Sequence, residues 1–253
     1  MDAQSLTTES ESEIESIPLD RLFRVPAAIY RGMVEHGLFR AEEVALADGL
    51  LVGGAGHDPS ERLYRMPLDV YERVGGLDLL GEKDRKVELL DGLLVRKMTK
   101  NDPHIIATYL IQAALAALVP RGWCVFKEDP VALPAGPRGH PSMPEPDAAV
   151  IRGEIRSYRA RRVSPADMAL VVEVAHSSLR VDRVKLARYA RAGIPVAWLV
   201  NLNNNTVEVH ANPTGPTDPA QYRDVMVLSA SDEVPVVIDG LEVGRLAVAD
   251  LLP

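Results

Sequence analysis

The amino-acid sequence predicts an α/β fold: a mixed central sheet flanked by helices, with β-hairpins and a small N-terminal appendage. Three features lead there. The run "ALVVEVA" (169–175) is almost wholly apolar and β-branched, which marks a strand buried on both faces. A helix follows it, and then a second strand, "PVAWLVNL". Three Asp-Gly pairs, at 48–49, 91–92 and 239–240, stand between apolar segments, and Asp-Gly supplies the positive φ angles of a two-residue hairpin turn. Finally, "NDPHIIATYLIQAALAALV" offers Asn101 or Asp102 as N-cap, Pro103 at the first helical position and continuous apolar residues beyond, the pattern of a buried helix.

Taken in order, residues 1–17, rich in Ser, Thr and Glu, read as a disordered acidic tail. Residues 18–62 form the appendage. In it "PLDRLFRVPAAIYRGMVEHGLF" has the apolar spacing of one or two short helices, and "VALADGLLV" that of a hairpin. The stretch "GGAGHDPS" (53–60) reads as a linker, and 63–253 as the main domain. There "VELLDGLLVRKM" folds about Asp91 and Gly92, so that Leu90 faces Leu93 and Glu88 faces Val95. The buried helix comes next. It is followed by a strand in "WCVFKEDPVAL", an irregular loop in "PAGPRGHPSMPEP" and a short strand in "DAAVIR". After the buried strand, "SSLRVDRVKLARYARAG" is a helix with Ser caps and a Gly193 stop, and "PVAWLVNL", "NNN" and "TVEVHA" give strand, turn and strand.

The pentapeptide "DGLLV" occurs twice, at 48–52 and 91–95, and its flanks share a leading tyrosine, Tyr30 and Tyr71. The appendage therefore reads as a partial duplication of a helix-hairpin unit. The copies differ three positions before each Asp, where the first has Ala45 and the second Glu88.

The 253 residues suit one large domain with an appendage, and 47% hydrophobic with 25% charged residues is an ordinary globular composition. The one cysteine, Cys124, has no partner for an internal disulfide, and the N-terminus lacks an export signal, so the expected location is the cytoplasm. The longest apolar run is too short for a membrane span of ~20 residues. A net charge of −8 argues against non-specific coating of nucleic acid but not against a nuclease. The basic stretch 152–191, with nine arginines, is where phosphate is expected to be met, unless it is a solvated face. A Rossmann-type nucleotide site is disfavoured, because no Gly-rich loop joins a first strand to a helix.

Two carboxylates stand out by position. Asp147 opens a strand directly after Pro146, and Glu173 lies inside "LVVEV". A charge in a buried strand costs several kcal/mol unless it is paired or bound to a metal. An ion pair with an arginine would serve Glu173 alone. Two hard oxygen ligands on adjacent strands suit Mg²⁺, with water or phosphate completing the shell. Lys185, on the helix after the Glu173 strand, can approach these carboxylates or remain a solvated surface lysine.

The series "VELLDG", "PH" at a helix start, "PEPDAAVIRG", "LVVEVAHSSLRVDRVKLARYARAGIPVAWLVNL" and "TVEVH" resembles the Uma-two family of putative restriction endonucleases, in the PD-(D/E)XK nuclease superfamily. The resemblance covers roughly Tyr71 to the C-terminus. It implies a restriction-endonuclease-like fold and Mg²⁺-dependent endonuclease activity on DNA, with Mn²⁺ as a substitute and a homodimer as the assembly. Carried over by position, Asp147 and Glu173 are metal ligands, and Glu88 is a further carboxylate of the site. His104 matches the histidine at the start of the first long helix. Ala175 stands where the superfamily has lysine, a role that the resemblance moves to Lys185. His176 replaces the aspartate of close relatives at the rim of the site. The alternative reading is a catalytically idle nuclease fold that binds nucleic acid or protein.

Overall fold

A computed structural model describes residues 17–53, 62–81, 86–136 and 138–253. The acidic tail, except for Ile17, and nearly all of the linker lie outside the described residues. The ordered chain runs α1 (Ala27–Glu35), β1 (Val44–Ala47), β2 (Leu50–Gly53), α2 (Leu68–Gly76), β3 (Val87–Leu90), β4 (Leu93–Arg96), α3 (Asp102–Leu118) and β5 (Trp123–Phe126). It continues with β6 (Ala148–Arg152), β7 (Met168–Ala175), α4 (Leu179–Arg191), β8 (Val196–Asn201), β9 (Thr206–Pro213), β10 (Tyr222–Ser229), β11 (Glu233–Ile238) and β12 (Leu241–Ala247).

Strands β5 to β10 form one six-stranded sheet in the order β10-β9-β8-β7-β6-β5. All neighbours are antiparallel except β7 and β8, the pair joined through α4. The expected mixed sheet flanked by helices is thus present. All eight residues of β7 are buried, as its apolar sequence requires. Alternate residues serve opposite faces: Val172 and Val174 pack with Ile111 and Leu115 of α3, whereas Val171 and Ala175 pack with Leu186 and Tyr189 of α4. Each fully buried aliphatic side chain of these two layers contributes about 1.5–3 kcal/mol by leaving water.

Several boundaries differ from the sequence reading. The stretch before β1 does form one short helix, α1, preceded by a 3-10 turn at Leu19–Arg21. The strand expected through 133 stops at Phe126, because Glu128 takes a positive φ of 48°. Ser178 does not cap α4 by its side chain; its hydroxyl bonds Asp182 at 2.6 Å instead. Gly193 does take the left-handed stop, at φ 75°. Asn101, rather than Asp102, caps α3 by accepting from the His104 amide. Strand β10 carries no alternating pattern and was not foreseen.

The three Asp-Gly pairs all adopt positive φ at both residues, and the hairpins fold in the expected register, with Leu90 opposite Leu93 and Glu88 opposite Val95. The likeness between the two helix-hairpin units reaches further than the pentapeptide. "RLFRVP" (21–26) and "RLYRMP" (62–67) precede the two helices, and matched residues make matched bonds. Tyr30 donates to the Val44 carbonyl at 2.8 Å and Tyr71 to that of Val87 at 3.0 Å. Arg24 reaches the Asp48 carbonyl and Arg65 that of Asp91. Each turn glycine lies against the arginine of its own copy: a Cβ on Gly49 would meet Arg24 at 3.1 Å, and one on Gly92 would meet Arg65 at 3.0 Å.

The copies also exchange edges. Leu22, in the first, bridges Val95 of the second hairpin, while Leu63, in the second, bridges Val52 of the first. Their side chains share one cluster, in which Phe23, Met33 and Phe39 pack with Met66, Val74 and Leu89.

Candidate active site

The register of β6 on β7 builds the site. Ala148 pairs with Val172, so the preceding Asp147 lies across from Glu173 on the same face of the sheet. The Val174 amide fixes Asp147 by donating to its Oδ2 at 2.9 Å. Helix α4 then folds back over that face. Asp182, Lys185 and Tyr189, at i, i+3 and i+7, form one stripe of the helix, and all three are buried. The β3–β4 hairpin brings Glu88 from the opposite side, and the first turn of α3 brings His104.

These groups converge. Lys185 Nζ lies 3.1 Å from Glu88, 3.3 Å from Glu173 and 3.8 Å from Asp182. Tyr189 donates to Glu173 Oε1 at 2.5 Å, and the Glu145 amide donates to Glu88 Oε2 at 3.2 Å. Asp147 accepts from Lys100 at 2.9 Å, with His104 Nε2 at 3.3 Å from its other oxygen. Glu173 is only 1% exposed and Glu88 2%, whereas Asp147, at 7%, touches the cleft that these residues floor. Lys185 is therefore not the solvated lysine of the alternative reading, and His104 is not a solvated histidine. The cation beside Glu173 is that lysine and not an arginine.

The electrostatics separate the carboxylates. Burial raises Glu173 well above the usual carboxylate range, with Lys185 opposing and the neighbouring acids adding. Burial likewise pushes Asp182 up to about 7, against Lys185 and the Ser178 hydroxyl. Burial works against Asp147 too, but the hydrogen bond and charge of His104, with Lys100 and Lys185, outweigh it and hold Asp147 below its ordinary value. Burial would lower Lys185, yet Glu173, Glu88 and Asp182 raise it well above the normal lysine value.

The hairpin carrying Glu88 is tied to α4 through its turn. Arg188 donates from both Nε and Nη2 to Asp91, and Arg191 stands 3.8 Å from the same carboxylate. Asp91 therefore does more than make a turn, which its twin Asp48 does not reveal. Asp182, Lys100, Tyr189 and Asp91 are the site residues that sequence reasoning missed; the helical spacing of 182, 185 and 189 was the available signal for two of them. The arginines of 152–191, where phosphate was expected, are largely spent elsewhere: Arg152 pairs with Asp239, Arg161 with Asp167, Arg162 with Glu72, and Arg188 with Asp91. His176 lines the cleft rim, with Nδ1 2.5 Å from Asn101 Nδ2.

Residues 72–249, well over half of the chain, match the family described as "Uma2: Putative restriction endonuclease". The chain belongs to the Uma2 family. Uma2 membership makes it a nuclease-type protein, and nucleic acid the class of substrate. A solved structure titled as a putative nuclease belonging to DUF820, from Anabaena variabilis ATCC 29413, is 19% identical with a TM-score of 0.48, covering 65% of this chain and 88% of that one. A search of the curated proteins gave no match. Among the described residues, no helix of this Uma2 protein is long and apolar enough to cross a membrane.

Restriction-endonuclease-like families generally use divalent metals, and the donor set here fits a hard cation. Four buried carboxylates, Glu88, Asp147, Glu173 and Asp182, face two lysines, Lys185 and Lys100, and all the donors are oxygens. Among the described residues no three His, Cys, Asp or Glu groups make a ready ion cage, so water or phosphate oxygens would complete the shell, as is usual for Mg²⁺.

Proposed function

We propose that this Uma2 protein is a divalent-metal-dependent endonuclease that hydrolyses phosphodiester bonds in DNA, with Mg²⁺ as the ion and Mn²⁺ as a substitute. The observation that carries this reading is the gathering of Glu173 and Glu88 around Lys185, with Asp147 lining the same cleft. Asp147 and Glu173, helped by Glu88, would hold the cation. When bound, it supplies charge that polarises a phosphate and acidifies a water.

The remaining chemistry belongs to the side chains. Lys185, enclosed by carboxylates, is an ammonium ion: it donates hydrogen bonds to water and offsets negative charge that grows on the phosphate, rather than taking a proton. Tyr189 fixes the orientation of Glu173. His104 and Lys100 keep Asp147 ionised and turned toward the cleft. The protein would act as a homodimer, a reading supported by the edge strand β10, where Val225, Met226 and Val227 are each more than half exposed.

The test is cleavage of DNA by purified protein with Mg²⁺ or Mn²⁺. Asp147→Ala and Glu173→Ala are expected to abolish it, and Glu88→Ala, which copies Ala45 of the first hairpin, to weaken it. Activity that survives both of the first two changes overturns the assignment. One observation favours the idle-module reading: both Glu173 oxygens already have partners, Tyr189 and Lys185. Calorimetry decides between the two, since an idle fold would bind no Mg²⁺, or bind it equally well after Asp147→Asn.

A further inference from the structure

The acidic floor of the cleft repels phosphate, so a nucleic-acid backbone needs a positive edge to rest on. The N-terminal copy builds one. Leu22 bridges Val95 and the Phe23 amide donates to the Leu94 carbonyl at 2.8 Å, which sets Arg21 alongside Arg96. Like charges on facing strand positions destabilise a pair, which an anion held between them would offset.

Neither arginine pairs with a buried carboxylate among the described residues. Arg96 is exposed, lies over the Phe23 ring at 5.8 Å, and pairs with no carboxylate among the described residues. Arg21 has Asp20 at 3.7 Å, but that carboxylate is 77% exposed and the pair contributes little. Its guanidinium instead reaches two residues of the cleft wall: Nη2 donates to the Ser177 carbonyl at 3.0 Å, and Nη1 contacts Met98 Sδ. Arg96, Met98 and Ser177 all line the cleft.

The duplication supplies an internal control. Arg62 is the counterpart of Arg21, and the residue beside it on the first hairpin is Gly53, where the second has Arg96. The hairpin that lacks the carboxylate, with Ala45 for Glu88, also lacks the second arginine. The two features occur together, at one end of the pseudo-symmetric pair only.

We propose that Arg21 and Arg96 form a phosphate-binding lip that seats the nucleic-acid backbone over the carboxylates. Arg21 is then a positioning residue from outside the family-matched span 72–249. Planar guanidinium forks match phosphate oxygens better than lysines would. The inference rests on the nucleic-acid reading of the site but not on cleavage.

The experiment is fluorescence anisotropy with a labelled double-stranded DNA oligonucleotide in EDTA, over a range of salt. Variants are Arg96→Ala, Arg21→Ala with Arg96→Ala, and the matching double Lys variant. The slope of log affinity against log salt should fall by about one for each arginine removed, and the double Ala variant should bind about tenfold or more weakly. The Lys pair should restore the slope but not the full affinity. Arg96 is exposed, so its single variant reads the effect without risk to folding. Wild-type slope and affinity in the double Ala variant overturn the lip, as does wild-type protein that binds neither this DNA nor a single-stranded RNA. DNA held through these arginines but never cut leaves the lip standing and sinks the nuclease reading. Cutting by the double Ala variant at the wild-type KM does the reverse.

Discussion

Replacing Lys185 with Met keeps most of the side-chain length and removes the ammonium around which Glu88, Glu173 and Asp182 gather at 3.1, 3.3 and 3.8 Å. The lysine side chain is only 7% exposed, so solvent screens little of the loss. Stripping one partner from a buried ion cluster costs about 3–5 kcal/mol. At about 2–4 °C per kcal/mol for a chain of this size, the unfolding midpoint should fall by about 6–20 °C. The loss should depend on pH, with a sign set by the neighbours. Burial pushes Asp182 up to about 7 and raises Glu173 as well, while Lys185 opposes both shifts. A carboxyl raised above its unfolded value of about 4 holds its proton more tightly when folded. Its stabilising contribution is complete below the unfolded value and is lost as pH rises through the folded one. Without Lys185 both folded values climb further, so the variant should suffer most near pH 8 and least near pH 5, where the stranded carboxylates take up protons. Urea unfolding in EDTA across about pH 5–8 measures this. A loss under about 1 kcal/mol near pH 8, below the range for breaking a buried pair, or a loss equal at every pH, would refute the reasoning.

Two further predictions concern the flanks of the site. His104→Ala should let Asp147 drift back toward the normal carboxylate range, because the hydrogen bond and charge of His104 are what chiefly oppose its burial. The acid limb of the cleavage profile should then move to higher pH while the alkaline rate holds; an acid limb that stays put would detach His104 from Asp147. Removing residues 1–62 should not leave a well-behaved remainder. Phe23, Val25, Met33, Leu38, Phe39, Val44 and Leu51 belong to the same cluster as Met66, Val70 and Leu89, and the exposed half should bind a hydrophobic dye or aggregate. A soluble truncation with a cooperative unfolding transition would contradict that.

What could be read from the sequence follows from how local each cause is. Asp147 and Glu173 betray themselves because a charge in an apolar strand has few harmless explanations. The hairpins are equally legible, since Asp-Gly acts within four residues. Asp182 was not legible: on an amphipathic helix an acid one turn from Lys185 looks like a surface pair, and only the packing of β7 and the Glu88 hairpin makes it buried. Arg188 and Asp91 are 97 positions apart, so nothing in either neighbourhood announces the bond. Strand β10 escaped because an edge strand exposed along most of its length has no alternation to display.

The edge exchange between the two copies also bears on the order in which the chain can assemble. Leu22 leaves the ribosome early, yet its partner Val95 follows about seventy residues later. At synthesis rates of about 5–20 residues per second, the wait is about 4–15 s. The first hairpin waits less, since Leu63, the partner of Val52, follows it by only about ten residues. Such long-range pairing slows folding because loop closure must precede the contact that rewards it. The outer edge of the cleft, though encoded first, therefore waits for the second hairpin, and the strands and helix that carry Asp147, Glu173 and Lys185 are made later still.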